Sequence, residues 1–443
     1  MLRRRLPASW VVGINLLAFH LNYPIIFAFY QRYLEDPEIS IELFTALPVA
    51  LLGALHLFSL ILPARSHAAR RPLLWLALFV GWCVLGEVIN GHSSFYNLKN
   101  PVALLLIAAG SVVLFKWHWG SIHPKLRLII YIVVIAFSGF MGYEILGGAL
   151  EFLPSGRGED LLMRYQVLGL ASTELTLFLA SQLCYLGFLL QTRPPRTGSQ
   201  ITLALIAVNV AATFYSGSKG ALAALFLMAL YYFRRVDLWK RLLIVGAVII
   251  VGMSGTASLS YYLSSYQIQI EQQMQGTLEQ DQTKSARVAL YEAEWGAIQQ
   301  YPLFGLGLGQ FWENRVHDFW TGQVPHQNLL GIACENGIPA TVFYALFIFA
   351  SAIGLYRAQH RLMPYVSLDP SIRSAALFIE ASLIVFLVFQ FRGFFADTWT
   401  LKEMYFLVGA GFGTSAWAEA RVSELQQQVH AGAVNGAPQF VYS

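Results

Sequence analysis

The sequence predicts an all-α polytopic membrane protein with about twelve transmembrane helices, because charges are few, apolar runs of membrane length recur, and cations are sorted between alternate loops. Hydrophobic residues make up 56% of the chain and charged residues 12%, against about 25% charged in an ordinary soluble chain. Water is therefore not its main solvent. Runs of about 17 to 25 apolar residues are long enough to cross a ~30 Å hydrocarbon core as helices, and they leave no soluble domain of ordinary size.

The predicted spans fall near 9–30, 43–62, 73–89, 101–115, 128–147, 167–190, 201–216, 220–233, 242–260, 332–356, 374–391 and 403–419. The first follows Arg3, Arg4 and Arg5 but is too long for a cleaved signal peptide and lacks a small-residue cleavage site, so it reads as a retained span. Lys and Arg concentrate in cytoplasmic loops. Placing the N-terminus inside puts 19 of the 29 cations on the cytoplasmic side, which predicts that both termini are cytoplasmic.

The domain organisation that follows is 1–260 for spans one to nine, 261–330 for an outer loop subdomain, 331–419 for spans ten to twelve, and 420–443 for a cytoplasmic tail. The formal net charge of +4 reflects this sorting and gives no reason to invoke nucleic acid. Cys83, Cys184 and Cys334 lie in apolar or helical stretches without C-x-x-C spacing, so neither a disulfide framework nor a zinc site is expected.

Two outer loops depart from the short connections elsewhere. Leu150 to Gln166 gathers Arg157, Glu159, Asp160 and Arg164, a dense cluster that serves either to solvate the loop or to bind an anion. The second loop, from about Tyr261 to Leu330, has room for a folded subdomain. Its Gln-rich start, Tyr266 to Gln282, reads as an amphipathic or partly mobile segment. From Ser285, a candidate N-cap, Val288, Tyr291, Trp295 and Ile298 recur at helical spacing and predict a helix on the membrane surface with Arg287 in its first turn.

That helix should stop at Tyr301-Pro302, where Phe304-Gly-Leu-Gly-Leu-Gly-Gln-Phe311 follows. Gly305, Gly307 and Gly309 permit backbone conformations closed to other residues and let amides approach a ligand, and they serve equally to shape the loop. They are not a dinucleotide fingerprint, since no βαβ unit surrounds them. Further on, Pro325-His326-Gln327-Asn328 opens a helix re-entering the membrane, with Glu335 along it. By itself His326 reads as an interfacial cap, but an imidazole there can also exchange protons with water near neutral pH.

The order R-x(7)-W, P-x-x-G-x-G-x-G-x-F, P-H-x-N-L and E-x-G resembles the O-antigen ligase and O-antigen polymerase superfamily of bacterial envelope glycosyltransferases. Here it is carried by Arg287 with Trp295, Pro302 with Gly305, Gly307, Gly309 and Phe311, Pro325 to Leu329, and Glu335 with Gly337. Tyr215-Ser-Gly-Ser-Lys-Gly-Ala221 matches a Ser-x-Ser-Arg turn of that family, with Lys219 where an arginine is usual. The exchange keeps the charge and loses the bidentate fork. The motif-bearing resemblance spans roughly residues 160 to 340.

The resemblance implies a GT-C-like, metal-independent glycosyltransferase of the bacterial inner membrane, needing no cofactor and facing the periplasm. Its donor would be an undecaprenyl-diphosphate-linked glycan. Arg287, Lys219, Arg164 and Arg315 are candidates to hold the diphosphate, His326 is the candidate general base, and Asn328, Glu335 and the three glycines support them. The acceptor it favours is a sugar hydroxyl of lipid A-core. The same motifs leave open a second lipid-linked glycan, as in a polymerase, or a protein.

Two further readings weigh less. Glu87, Glu144, Glu174 and Glu380 lie in or at the ends of apolar spans, where carboxylates are costly and functional by default, which raises a transporter. No internal repeat supports one. Glu279 and Asp281 do not form a D-x-D, and no metal site is expected.

Overall fold

The computed structural model describes residues 8–18, 41–61, 68–91, 95–146, 151–153, 164–166, 172–192, 195–215, 228, 282–313, 327–394 and 401–430. In chain order its elements are α1 (Ala8–Ala18), α2 (Ile41–Ile61), α3 (Arg70–Ile89), α4 (Phe95–Leu146), β1 (Glu151–Leu153), β2 (Arg164–Gln166), α5 (Ser172–Gln191), α6 (Arg196–Tyr215), α7 (Gln282–Gln300), α8 (Gln310–Glu313), α9 (Asn328–Leu362), α10 (Pro370–Arg392) and α11 (Lys402–His430). Helices thus stand at most of the predicted apolar runs; the run at 242–260, and that at 220–233 apart from Met228, lie outside the described residues. Among the described residues four helical stretches are long and apolar enough to cross a membrane: Arg70–Ile89, Asn100–Gly139, Asn328–Tyr365 and Pro370–Arg392. The chain is a helical membrane protein, and its one departure from helix among the described residues' regular elements is the antiparallel pair β1–β2 inside the charged loop.

The residues expected to form a loop at 116–127 are helical, within a stretch that extends from Phe95 to Leu146 and has Pro124 inside it. A straight helix of 52 residues would rise about 78 Å, more than twice the hydrocarbon core. The packing shows that it doubles back. Gly409 of α11 faces Ala108, Gly413 faces Val112 and Phe115, and Trp417 lies 6.4 Å from Trp119 between ring centroids, so the first arm runs parallel to α11. Phe115 and Trp119 touch Phe378, which touches Phe188 of α5. Phe137, however, meets Phe178, ten residues back along α5 toward the level where Tyr185 meets Glu403 of α11. Residue 137 has therefore returned in the direction from which the first arm came, and the reversal falls around Pro124. The two predicted spans are the arms of one bent element.

The arms pack by close backbone approach. A Cβ on Gly53 of α2 would overlap the Leu106 carbonyl, one on Gly110 the Val49 carbonyl, and one on Gly409 the Ala108 carbonyl. Small residues spaced by four let membrane helices meet backbone to backbone, where dispersion rather than hydrophobic transfer holds them. Around these lines of contact Trp119, Phe115, Phe347, Phe386, Phe389, Tyr405 and Phe406 are almost wholly buried.

One end of the bundle is locked by Asp369. As N-cap of α10 it accepts from the Ser371 amide at 2.7 Å, and it pairs with Arg421 of α11 at 3.2 Å. Burial, the largest influence on its carboxyl, pushes the pKa up, but the two Ser371 hydrogen bonds and Arg421 outweigh it and hold the group below the ordinary 3.8. A folded pKa below the unfolded one gives stability that is complete above pH 3.8 and is lost as pH falls through the folded value. Asp369→Ala is expected to cost about 1 kcal/mol at neutral pH through loss of the cap, and Asp369→Asn less, since an amide oxygen still caps. Thermal melts in detergent check this, and the difference between Asp369→Ala and wild type should shrink toward pH 3.

Candidate functional site

At the opposite end of the bundle, the glycine-rich loop and α9 form one hydrogen-bonded unit. The helix α9 is broken at Gly337, whose φ of 84° and ψ of 169° are non-helical, and it restarts at Pro339. A break exposes the carbonyls ending the first half and the amides opening the second. The loop supplies their partners. Leu306 N–H donates to the Cys334 carbonyl at 2.9 Å, Gly307 N–H to the Glu335 carbonyl at 2.8 Å, and Ile338 N–H to the Pro302 carbonyl at 2.8 Å. Two motifs read separately along the chain are thus two halves of one junction.

The junction dictates its glycines. Gly305 has φ 64° and a Cβ there would overlap the Glu335 carbonyl; a Cβ on Gly337 would overlap the Leu303 carbonyl. Gly307 and Gly309 also have positive φ, 105° and 73°. The loop turns at these residues, and Leu306, Gly307 and Leu308 are buried beneath it.

The helix α7 docks on the same unit. Ala297 and Ile298 pack with Leu306, Ala333 and Cys334, and Phe311 and Leu330 close the cluster. The helix predicted from Ser285 is present, with two corrections. It starts at Gln282, which makes Ser285 an interior residue. Its buried stripe is Leu290, Ala293, Glu294, Ala297 and Ile298, while Tyr291 and Trp295 are exposed. Of the four residues expected to define the apolar face, Ile298 alone is described as buried. Tyr and Trp pointing away from a protein core suit a membrane interface. Arg287 precedes Leu290 and Glu294 by three and seven positions, which places it in their register on the helix.

The start of α9 is fixed against the end of α10. Asn328 N–H donates to the Gly393 carbonyl at 2.8 Å, and the Asn328 side chain covers Gly393 so closely that a Cβ there would meet its Cγ at 2.8 Å. Asn328 is buried, as is the neighbouring Arg392. Glu335 is half-buried and its carbonyl is engaged by Gly307. Arg164 sits in β2, paired in register with Leu153. Lys219, Arg315 and His326 lie outside the described residues, His326 two positions before α9 begins. The structure therefore joins Gly305 and Gly307 to the Glu335 backbone and seats the helix bearing Arg287 on the same unit, while Asn328, seven residues before Glu335 on α9, is held against Gly393.

Sequence reasoning passed over Glu294 and Arg392 as site residues. Glu294 is fully buried on α7 and Arg392 closes α10 beside Asn328, 7% exposed. The signal for Glu294 was available in the alternative helical face, which Tyr291 and Trp295 obscured. For Arg392 it was a cation at the end of an apolar run.

Comparison with protein-family models matches residues 202–345 to the family described as O-Antigen ligase. A search of curated proteins returns no match. The matched stretch is about a third of the chain; it contains Lys219, Arg287, the glycine loop, Arg315, His326, Asn328 and Glu335, and it begins after Arg164. Over these residues the chain is similar to the O-antigen ligase family, in agreement with the resemblance carried by the motifs.

Proposed function

We propose, from the match of residues 202–345 to the O-antigen ligase family, that this protein transfers a glycan from undecaprenyl diphosphate to a sugar hydroxyl of lipid A-core. The observation that carries the reading is the loop–α9 junction, since it joins the glycine and E-x-G motifs into one scaffold inside the matched domain. The reaction faces the periplasm of a bacterial inner membrane, with both termini cytoplasmic.

In this reading His326 accepts the proton of the acceptor hydroxyl as its oxygen attacks the anomeric carbon. The bond from that carbon to the phosphate oxygen breaks, undecaprenyl diphosphate leaves, and the configuration inverts. Diphosphate is a good leaving group, so its charge needs cations rather than an acid. Arg287 takes that role in the transition state, with Lys219, Arg164 and Arg315 holding the donor. Asn328, fixed against Gly393, sets the start of the helix that follows His326. The site uses no metal and no cofactor.

The test is transfer in proteoliposomes, with undecaprenyl-diphosphate-linked glycan as donor and a chelator present. Lipid A-core should gain the glycan. Lengthening of the lipid-linked glycan instead would assign a polymerase, labelling only of an added protein would assign a protein glycosyltransferase, and dependence on a restored divalent ion would refute the metal-free mechanism.

A further inference from the structure

We propose that Glu87, a buried carboxylate of α3 far outside the matched domain, is a positioning residue of the transfer site that holds the glycine-rich loop in its working shape. The inference rests on the transferase reading for its activity arm. Glu87 is 1% exposed, and one of its carboxylate oxygens accepts the amide hydrogen of Leu308, between Gly307 and Gly309.

Glu87 does not act alone. On the same helix Trp82 donates its indole N–H to the Leu303 carbonyl at 3.0 Å and stacks on Phe304 with centroids 5.1 Å apart and planes at 13°. Asn90, which caps α3, donates its amide to the Gly305 carbonyl at 3.2 Å. Gly86 lets the Phe304 carbonyl come close, since a Cβ there would stand 3.3 Å from it. Trp82, Gly86, Glu87 and Asn90 lie at i, i+4, i+5 and i+8, one face of the last two turns.

The loop thus has two supports. The α9 break fixes Pro302, Leu306 and Gly307, and α3 fixes Leu303, Gly305 and Leu308. Glu87 is the only one of the three α3 residues to take a loop amide rather than a loop carbonyl. A loop with three positive-φ glycines has many accessible shapes, so its Leu308 amide needs a fixed acceptor to select one. This also gives a role to one of the intramembrane carboxylates without any ion path.

The experiment compares Glu87→Ala and Glu87→Gln in purified full-length protein. Amide exchange over residues 303–311 is read by mass spectrometry, and transfer is assayed as above. Glu87→Ala should speed exchange of that segment about tenfold and lower kcat about 10²-fold, the size of loss that a small misplacement of reacting groups produces, with KM for the donor within about threefold. Glu87→Gln keeps an acceptor oxygen and should recover both. Asn90→Ala, a less buried change, should speed exchange in the same segment and guards against a misfolded Glu87→Ala. Unchanged exchange in Glu87→Ala, or a Glu87→Gln protein as impaired as Glu87→Ala, overturns the proposal. If the wild type transfers to no acceptor, the transferase reading fails, while the exchange comparison still decides the clamp.

Discussion

Gly337→Ala is expected to abolish transfer and to lower the melting temperature of the protein in detergent, the largest stability effect of any single substitution considered. Two causes act together. The φ of 84° with ψ of 169° is a conformation almost confined to glycine, costing about 1 to 3 kcal/mol for another residue. The new methyl would also overlap the Leu303 carbonyl, and the only relief is to push the loop away from α9. That movement threatens the bonds from Leu306 to Cys334, from Gly307 to Glu335 and from Ile338 to Pro302. Each buried group left without its partner costs about 1 to 3 kcal/mol. The control is Gly296→Ala in α7, where a Cβ meets nothing within 4 Å and alanine should stabilise the helix by about 0.5 to 1 kcal/mol. If Gly337→Ala melts and transfers like wild type, the loop–α9 junction is not the scaffold of the site.

The comparison of these two glycines shows where sequence reasoning succeeds. A helix at Gly296 is implied by its surroundings, and the alternate glycines after Pro302 announce an irregular loop. What the loop pairs with is not written near it. The break in α9 lies about thirty residues on, within an apolar run that hydropathy reads as uninterrupted, and the only local hints are Gly337 and Pro339. The contribution of α3 is further still, since Glu87 and Leu308 are separated by 221 residues. Hydropathy found Glu87 as an anomaly because a carboxylate is costly in an apolar run, yet gave it no partner.

Periodicity failed on α7 for a related reason. Tyr291 and Trp295 are amphipathic, so counting them as core residues rotated the helix and put the buried Glu294 on the solvent side. In α4 the error was of another kind. Lys116, Lys125 and Arg127 mark a polar turn between two apolar runs, yet the residues there are helical and Pro124 lies among them. Charge told where the chain turns and not what conformation turns it.

His326→Ala is expected to lower kcat for transfer by about 10²- to 10⁴-fold, the usual worth of general-base help, with little effect on melting. The residue stands two positions ahead of α9, whose first turn is held independently through Asn328 and Gly393, so removing the imidazole should spare that anchor. The pH dependence separates base catalysis from capping. A neutral imidazole accepts the hydroxyl proton and a protonated one does not, so the wild-type kcat profile should have an acidic limb. His326→Ala should lack that acidic limb. His326→Gln keeps hydrogen-bonding capacity without basicity; it should match alanine in rate if the residue is a base and match wild type if it merely caps or orders the entry to α9. Arg287→Lys supplies the complementary contrast, since it keeps the cation and loses the fork. It should lower kcat while leaving the acidic limb in place, because the leaving diphosphate and the acceptor proton are handled by different groups. A kcat profile for Arg287→Lys that loses its acidic limb would mean that the two residues act on the same step of proton transfer, and the division of roles between base and cation would have to be abandoned.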